Sequence, residues 1–200
     1  MINIISLIIF SYLLGSIPFA LIIGKIFFRT DIRNLGSGNL GTTNTMRILG
    51  RKAGLVVFFL DFAKGYLSLK FASFILGDVD YIIIFGAFAM IGHMFPIFAN
   101  FRGGKSVATG SSLFVYFYPY LALILIVVFF VNLLLTGYVS LGSIIISAIG
   151  SAYITLYGEG MYRFILVAMC VLVIYMHRSN IKRILNGTEN VSKLKINFRR

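Results

Sequence analysis

Apolar residues along this chain run in blocks long enough to cross a bilayer, and polar residues collect in the gaps between them. Seven apolar segments can be marked, at about 3–28, 53–77, 80–99, 106–118, 119–136, 138–157 and 160–176. Within them Ile, Leu, Phe and Val recur without the polar face that a water-exposed helix needs. Each therefore reads as a helix for apolar surroundings. The fourth and fifth form one apolar stretch divided at Pro119, and the residue before a proline is biased away from helix. The first segment has no basic stretch ahead of it and is too long for the apolar part of a signal peptide, so it is expected to stay in the membrane.

Charge supplies the orientation. Of the eighteen Lys and Arg residues, five lie between Arg29 and Lys52, two are Arg102 and Lys105, and seven lie from Arg178 to Arg200. Loops rich in Lys and Arg stay on the cytoplasmic side. If the Arg102–Lys105 loop and the tail are both cytoplasmic, an even number of crossings separates them, and the four segments from 106 to 176 satisfy that. The expected fold is an all-α polytopic membrane protein of about seven transmembrane helices, with the N-terminus outside and the C-terminus cytoplasmic. Residues 1–200 are expected to form a single domain. A five-span version, with two of the four segments only half inserted, is also compatible with the hydropathy. The outward links would be Gly77–Asp80 and Gly158–Gly160, both short and acidic.

Composition changes the picture in one respect. A chain that is 59% hydrophobic and 12% charged, with a mean hydropathy of +0.95, is not an ordinary soluble domain. A net charge of +12 would suggest nucleic acid in a soluble protein. Here fourteen of the eighteen basic residues sit in those loop and tail clusters, with no aromatic-interleaved soluble surface to bind it, so no nucleic-acid partner is expected. Cys170, the single cysteine, lies in an apolar run without metal-ligand spacing and reads as packing. The sixth segment carries Ser143, Ser147 and Ser151 at four-residue spacing, a stripe that allows close helix approach. Ser143, one turn from the cytoplasmic end, is also in reach of a substrate.

Two motifs imitate nucleotide sites. Gly36–Gly41 fits GxGxxG, with Asp61 at about the expected distance, but a membrane span precedes it rather than a strand. Ala99–Ser106 fits the loose Walker form, again without a strand or an acidic partner. What both share is a glycine-rich backbone that can bring N–H groups against phosphate.

Three polar clusters carry the candidate chemistry. In the first, Gly36 to Arg47 (GSGNLGTTNTMR), Ser37, Asn39 and Asn44 offer short-reach donors and Arg47 can hold a phosphate bidentately. A flexible solvated loop is the plain alternative. The second is Gly92 to Lys105 (GHMFPIFANFRGGK). His93 lies in the third span, Pro96 is expected to kink that helix, and Arg102, Gly103, Gly104 and Lys105 form a compact anion site ahead of the next helix. A lone histidine on an apolar helix is otherwise a packing residue. The third is His177 to Glu189 (HRSNIKRILNGTE), read as a helix continuing from the seventh span, with His177 and Asn180 on one face and Gly187 as its stop. An anionic-lipid anchor explains Lys182 and Arg183 but leaves His177, Asn180 and Glu189 unexplained. Asp61 and Lys64 lie about 12 and 16 Å into the second span by helical rise. Charges at that depth face a polar cavity or each other, and Lys64 is also a candidate to help hold a phosphate.

Taken in order and spacing, Gly36–Arg47, the Asp61–Lys64–Gly65 triplet, Gly92–Lys105 and His177–Glu189 resemble the sequence blocks of the acyl-phosphate:glycerol-3-phosphate acyltransferase family along the whole chain. Two departures are visible: Thr42 stands where the family usually has Ala, and Ser106 where Gly usually follows the GGK. The resemblance implies transfer of a fatty acyl group from acyl phosphate to the sn-1 hydroxyl of glycerol 3-phosphate, the first acylation step of phospholipid synthesis, with no cofactor and no metal. It implies a multi-pass protein of the bacterial plasma membrane with its active site facing the cytoplasm. The acyl phosphate would come from a soluble acyl-carrier-protein:phosphate acyltransferase. By resemblance Ser37 and Arg47 belong to the catalytic block, Arg102–Lys105 to glycerol-phosphate binding, and His177, Asn180 and Glu189 to the third block. An acyl phosphate is already activated, so the protein has only to hold two phosphates, orient a hydroxyl and stabilise an oxyanion. A histidine or a substrate phosphate can take the hydroxyl proton. A transporter of an organic phosphate is the rival reading, since buried charge and broken helices suit both. It would be favoured by inverted internal repeats, which the sequence does not display.

Overall fold

The computed structural model describes residues 3–77, 79–192 and 194–196, and the chain divides into two compact units, Met1–Phe117 and Tyr118–Arg200. Asp78 of the first outward link, and Lys193, Arg199 and Arg200 of the basic tail, lie outside the described residues.

In the first unit the helices are α1 (Ile4–Ser16), α2 (Phe19–Phe28), α3 (Thr42–Leu49), α4 (Arg51–Leu76), α5 (Ile83–Met94) and α6 (Val107–Phe117). Asn3 caps α1, its side chain accepting from Ser6 N–H at 2.9 Å. The first apolar segment is not one rod. It breaks at Ile17–Pro18, and α2 leaves α1 at 40°, because proline cannot donate to the preceding turn. α1 packs along α5, and α4 packs on α6. The first of these pairs is held close by small residues: a β-carbon at Gly15 would strike the Ala89 backbone, and one at Gly92 the Tyr12 carbonyl. Tyr12 Oη also donates to Phe95 O at 2.8 Å. Around these helices Leu7, Leu69, Ile83, Phe85, Met94 and Leu113 are fully buried.

The second unit holds α7 (Pro119–Thr136), α8 (Val139–Tyr157), α9 (Gly160–Met176) and α10 (Arg178–Leu185). Proline opens α7 at its first turn, where its missing N–H costs nothing. Gly137, at φ 77°, closes it. α8 packs on both α7 and α9. Large apolar side chains on α7, among them Tyr120, Leu123, Val127 and Phe130, are exposed, which suits lipid rather than water. The expected continuous helix through the third cluster is instead bent by 49° at His177, where α10 begins.

Among the described residues every regular element is helical. Two helices, α7 and α8, are by themselves long and apolar enough to cross a membrane, and the bent pairs α1–α2 and α9–α10 make four if each is one span. α5 ends before Pro96 and α6 starts only after the glycine pair, so they have 12 and 11 residues. Length and composition alone thus mark fewer spans than the seven expected.

Candidate active site

The first glycine-rich segment is an organised loop. Asp31 sets its start: the carboxylate accepts from Arg33 N–H at 3.1 Å and from the Arg33 guanidinium at 2.6 Å. The hydrogen bond from Arg33 holds the Asp31 carboxyl down at about 2. Gly36 and Gly38 turn the chain at φ 60° and 68°, a left-handed conformation that glycine adopts at no steric cost. Asn44, on α3, then reaches back. Its Oδ1 accepts from Ser37 N–H at 3.0 Å, and its Nδ2 donates to Leu35 O at 3.2 Å and Ile32 O at 3.4 Å. Both ends of this buried amide are engaged by the loop, so Asn44 shapes the loop. Ser37 and Arg47 are exposed and Asn39 is half-buried.

The second segment meets the first through the backbone, Leu40 N–H donating to Gly103 O at 3.4 Å. Here Asn100, Phe101 and Ser106 have φ of 55°, 58° and 60° without being glycine. Ser106, one of the two departures noted in the sequence, is thus held in the conformation that glycine would favour. Its buried Oγ donates to Met90 O at 3.3 Å. Arg102 is exposed, Gly103 and Lys105 are half-buried and Gly104 is buried.

Behind this loop lie the charges buried in α4. Lys64 Nζ stands 2.9 Å from Asp61 Oδ1 and donates to Ile17 O at 3.2 Å, where α1 breaks. It also lies over the Phe19 ring. His93 Nδ1 is 3.4 Å from the same Asp61 oxygen. The three-residue pairing expected from the sequence is therefore present. Lys64 answers a carboxylate and a carbonyl, and its side chain is 2% exposed.

In the second unit Glu189 gathers the third cluster. Its Oε1 accepts from Asn180 Nδ2 at 2.8 Å and Ser140 Oγ at 3.0 Å, and its Oε2 from Arg183 Nε at 2.7 Å. Burial pushes the Glu189 carboxyl up, but the hydrogen bonds from Asn180, Ser140 and Arg183 outweigh it and hold the group below its ordinary value. His177 Nδ1 lies 2.8 Å from Val173 O, and since a carbonyl only accepts, the proton sits on Nδ1. Ser143 is buried with its hydroxyl turned to Val139 O at 3.0 Å.

Of the candidates from the first two clusters, Ser37 and Asn39 and the Arg102–Lys105 run lie on two loops joined by a backbone hydrogen bond, with Asn44 and Arg47 on α3 after the first loop and His93 on α5 before the second. Lys64 stands behind them, while in the second unit Asn180 and Glu189 share one network and His177 rests on Val173 O. The sequence reading missed three residues: Ile17, whose carbonyl takes Lys64; Ser140, which helps bind Glu189; and Asp31, which anchors the first loop. Only Asp31, two residues from Arg33 at the edge of the glycine run, left a local signal.

A family model described as glycerol-3-phosphate acyltransferase matches residues 5–187. A glycerol-3-phosphate acyltransferase of Listeria monocytogenes serotype 4a (strain HCC23) is 48% identical over 191 residues, covering 94% of this chain and 96% of its own. Glycerol-3-phosphate acyltransferase 2 of Bacillus anthracis is 45% identical over 188 residues, covering 94% and 98%. The crystal structure of PlsY (YgiH), an integral membrane glycerol 3-phosphate acyltransferase, in its glycerol 3-phosphate form superposes with a TM-score of 0.87 at 40% identity over 94% of each chain. Its lysophosphatidic acid form gives a TM-score of 0.85 at 38% identity, over 95% of each. The chain belongs to the glycerol-3-phosphate acyltransferase family.

Proposed function

We propose that this acyltransferase moves a fatty acyl group from acyl phosphate to the sn-1 hydroxyl of glycerol 3-phosphate, giving lysophosphatidic acid and phosphate. Family membership supports the acyl transfer and its acceptor, as do relatives that carry that name across nearly their whole length. The observation that carries the chemistry is the junction of the two glycine-rich loops, Leu40 N–H to Gly103 O. It gathers Ser37, Arg47, Arg102 and Lys105 on neighbouring segments of one unit.

In the reaction, the hydroxyl oxygen of glycerol 3-phosphate attacks the acyl carbonyl carbon. The bond from that carbon to the phosphate oxygen breaks, and phosphate leaves with the electron pair. The hydroxyl proton passes to His177 or to a phosphate oxygen of a substrate. Phosphate is a good leaving group, so no enzyme nucleophile is needed. Arg47 is assigned to the acyl phosphate, where it stabilises charge as the bond breaks. Arg102, the Gly103–Gly104 turn and Lys105 are assigned to glycerol 3-phosphate. Ser37, Asn39 and Asn180 are assigned as neutral donors.

The chain is placed in the bacterial plasma membrane as a single acyltransferase domain of seven crossings, N-terminus outside and C-terminus inside. The charge distribution among its loops is what supports this topology. The active site then faces the cytoplasm, where a soluble acyl-carrier-protein:phosphate acyltransferase would supply the donor. Purified protein in detergent should form lysophosphatidic acid from palmitoyl phosphate and glycerol 3-phosphate in metal-free buffer. Turnover with acyl-CoA at a comparable rate, and none with acyl phosphate, would overturn the assignment.

A further inference from the structure

The second glycine-rich loop rests on a buried side chain. Gly104 N–H donates to His93 O at 3.0 Å. A β-carbon added at Gly104 would collide with His93 Nε2, and its next two neighbours, at 2.9 Å, are the Cδ2 and Cε1 of the same ring. Gly104 is not among the residues of positive φ, so backbone conformation does not demand glycine there. The imidazole demands it. The ring in turn is fixed from behind: Nδ1 lies 3.4 Å from Asp61 Oδ1, and Asp61 is held by Lys64 at 2.9 Å. Thr109 Oγ1 donates to the Asp61 carbonyl at 2.9 Å, tying α4 to α6 just beyond the loop. Asp61, Lys64 and His93 are 1%, 2% and 6% exposed. Ionisable groups so deep in an apolar helix pair are costly, and here three of them converge behind a single turn.

We propose that His93, clamped by Asp61, is a positioning residue: its ring is the floor against which the Gly103–Gly104 turn is pressed, and so it sets where Arg102 and Lys105 meet the phosphate of glycerol 3-phosphate. This rests on the assignment of that loop to glycerol 3-phosphate made above. His93 does not touch the substrate, and its effect passes through the loop.

The test is a double-substitution cycle. His93→Asn keeps an N–H donor where Nδ1 stood, facing Asp61, but removes the ring edge beneath Gly104. Alone it should raise KM for glycerol 3-phosphate by about threefold with KM for acyl phosphate unchanged, whereas His93→Leu, which loses the donor, should raise it further. Gly104→Ala should raise that KM by about tenfold or more, with KM for acyl phosphate within about twofold of the parent. His93→Asn combined with Gly104→Ala should recover to within about threefold of the parent, because the added methyl now has room. A double variant no better than Gly104→Ala alone overturns the proposal, as does an equal effect of Gly104→Ala on both KM values. If Gly104→Ala fails to accumulate in the membrane, the double variant should restore its accumulation, and failure to do so has the same force. If the parent protein makes no lysophosphatidic acid at all, the functional reading fails separately. The coupling then stands or falls on thermal midpoints in detergent, lowered by Gly104→Ala and restored in the double variant.

Discussion

Glu189→Ala removes the acceptor on which three side chains converge. In the folded chain its carboxylate takes hydrogen bonds from Asn180 at 2.8 Å, Ser140 at 3.0 Å and Arg183 at 2.7 Å. A hydrogen bond to a charged group contributes roughly 1.5–3 kcal/mol, and a buried donor left unmade costs about 1–3 kcal/mol. Ser140 and Asn180 are buried, so their loss counts in full. The Arg183 side chain is 34% exposed, and its share is cut by solvent to at most about 1 kcal/mol. The expected total is on the order of 3–5 kcal/mol, a fall of at least about 6 °C in the unfolding midpoint of detergent-solubilised protein. Glu189→Gln keeps one acceptor oxygen and should lose about half as much, while Arg183→Ala should lose least. The pH dependence follows from the same contacts. The folded carboxyl titrates below its ordinary value of 4.5, so this stabilisation is complete above pH 4.5 and is lost as the pH falls through the lower folded value. In Glu189→Gln that acid-side loss should be absent. If Arg183→Ala is as damaging as Glu189→Ala, or if the glutamine variant keeps the full acid dependence, the reasoning from these three bonds is wrong.

Lys105→Ala should raise KM for glycerol 3-phosphate more than KM for the acyl donor, and Arg47→Ala should mainly lower kcat, each by roughly ten- to hundredfold. An exposed control, Arg163→Ala, should stay within about twofold in both constants. Near-normal kinetics for Lys105→Ala in membrane-inserted protein would move the phosphate site elsewhere. Reporters placed within Arg29–Lys52 and after the C-terminus should both signal cytoplasm, and one at Gly158 the exterior; an external tail breaks the seven-span topology. At Ser106, held at φ 60° with its hydroxyl on Met90 O, Ala and Gly both lose the hydrogen bond. Only Gly relieves the left-handed strain of about 1–2 kcal/mol, so Ser106→Gly should melt above Ser106→Ala, and the reverse order removes strain from the account.

Where punctuation was local, the sequence reading and the fold agree closely. The segment expected at 119–136 is the helix Pro119–Thr136, and those at 138–157 and 160–176 are Val139–Tyr157 and Gly160–Met176, because proline and glycine end helices through their own backbone chemistry. Pro18 carried the same signal inside the first segment, yet hydropathy runs straight through it; the break shows only with Lys64 donating to Ile17 O from 47 residues away. The bend at His177 has no proline or glycine to announce it. There Asn180 is drawn to Glu189, and Ser140, 49 residues earlier in the chain, joins them. No periodicity reaches across such distances.

The polar clusters were legible as clusters, but the division of labour inside them was not, and the reason is chemical. A donor already bonded to the protein must give up that bond before it can serve a substrate, and replacing it gains little. Asn44 has both amide ends on its own loop, Ser143 has its hydroxyl on Val139 O, and Lys64 divides itself between Asp61 and Ile17. Asn44 and Lys64 thereby fasten the backbone of other segments, while the Ser143 hydroxyl stays within its own helix. Ser37, Arg47 and Arg102, by contrast, stand exposed on the segments so held. Asparagine, serine and lysine read alike in a motif whether they face a phosphate or a carbonyl of their own chain. Only the fold separates the groups that stand exposed on those segments from the buried ones bonded to the chain's own backbone.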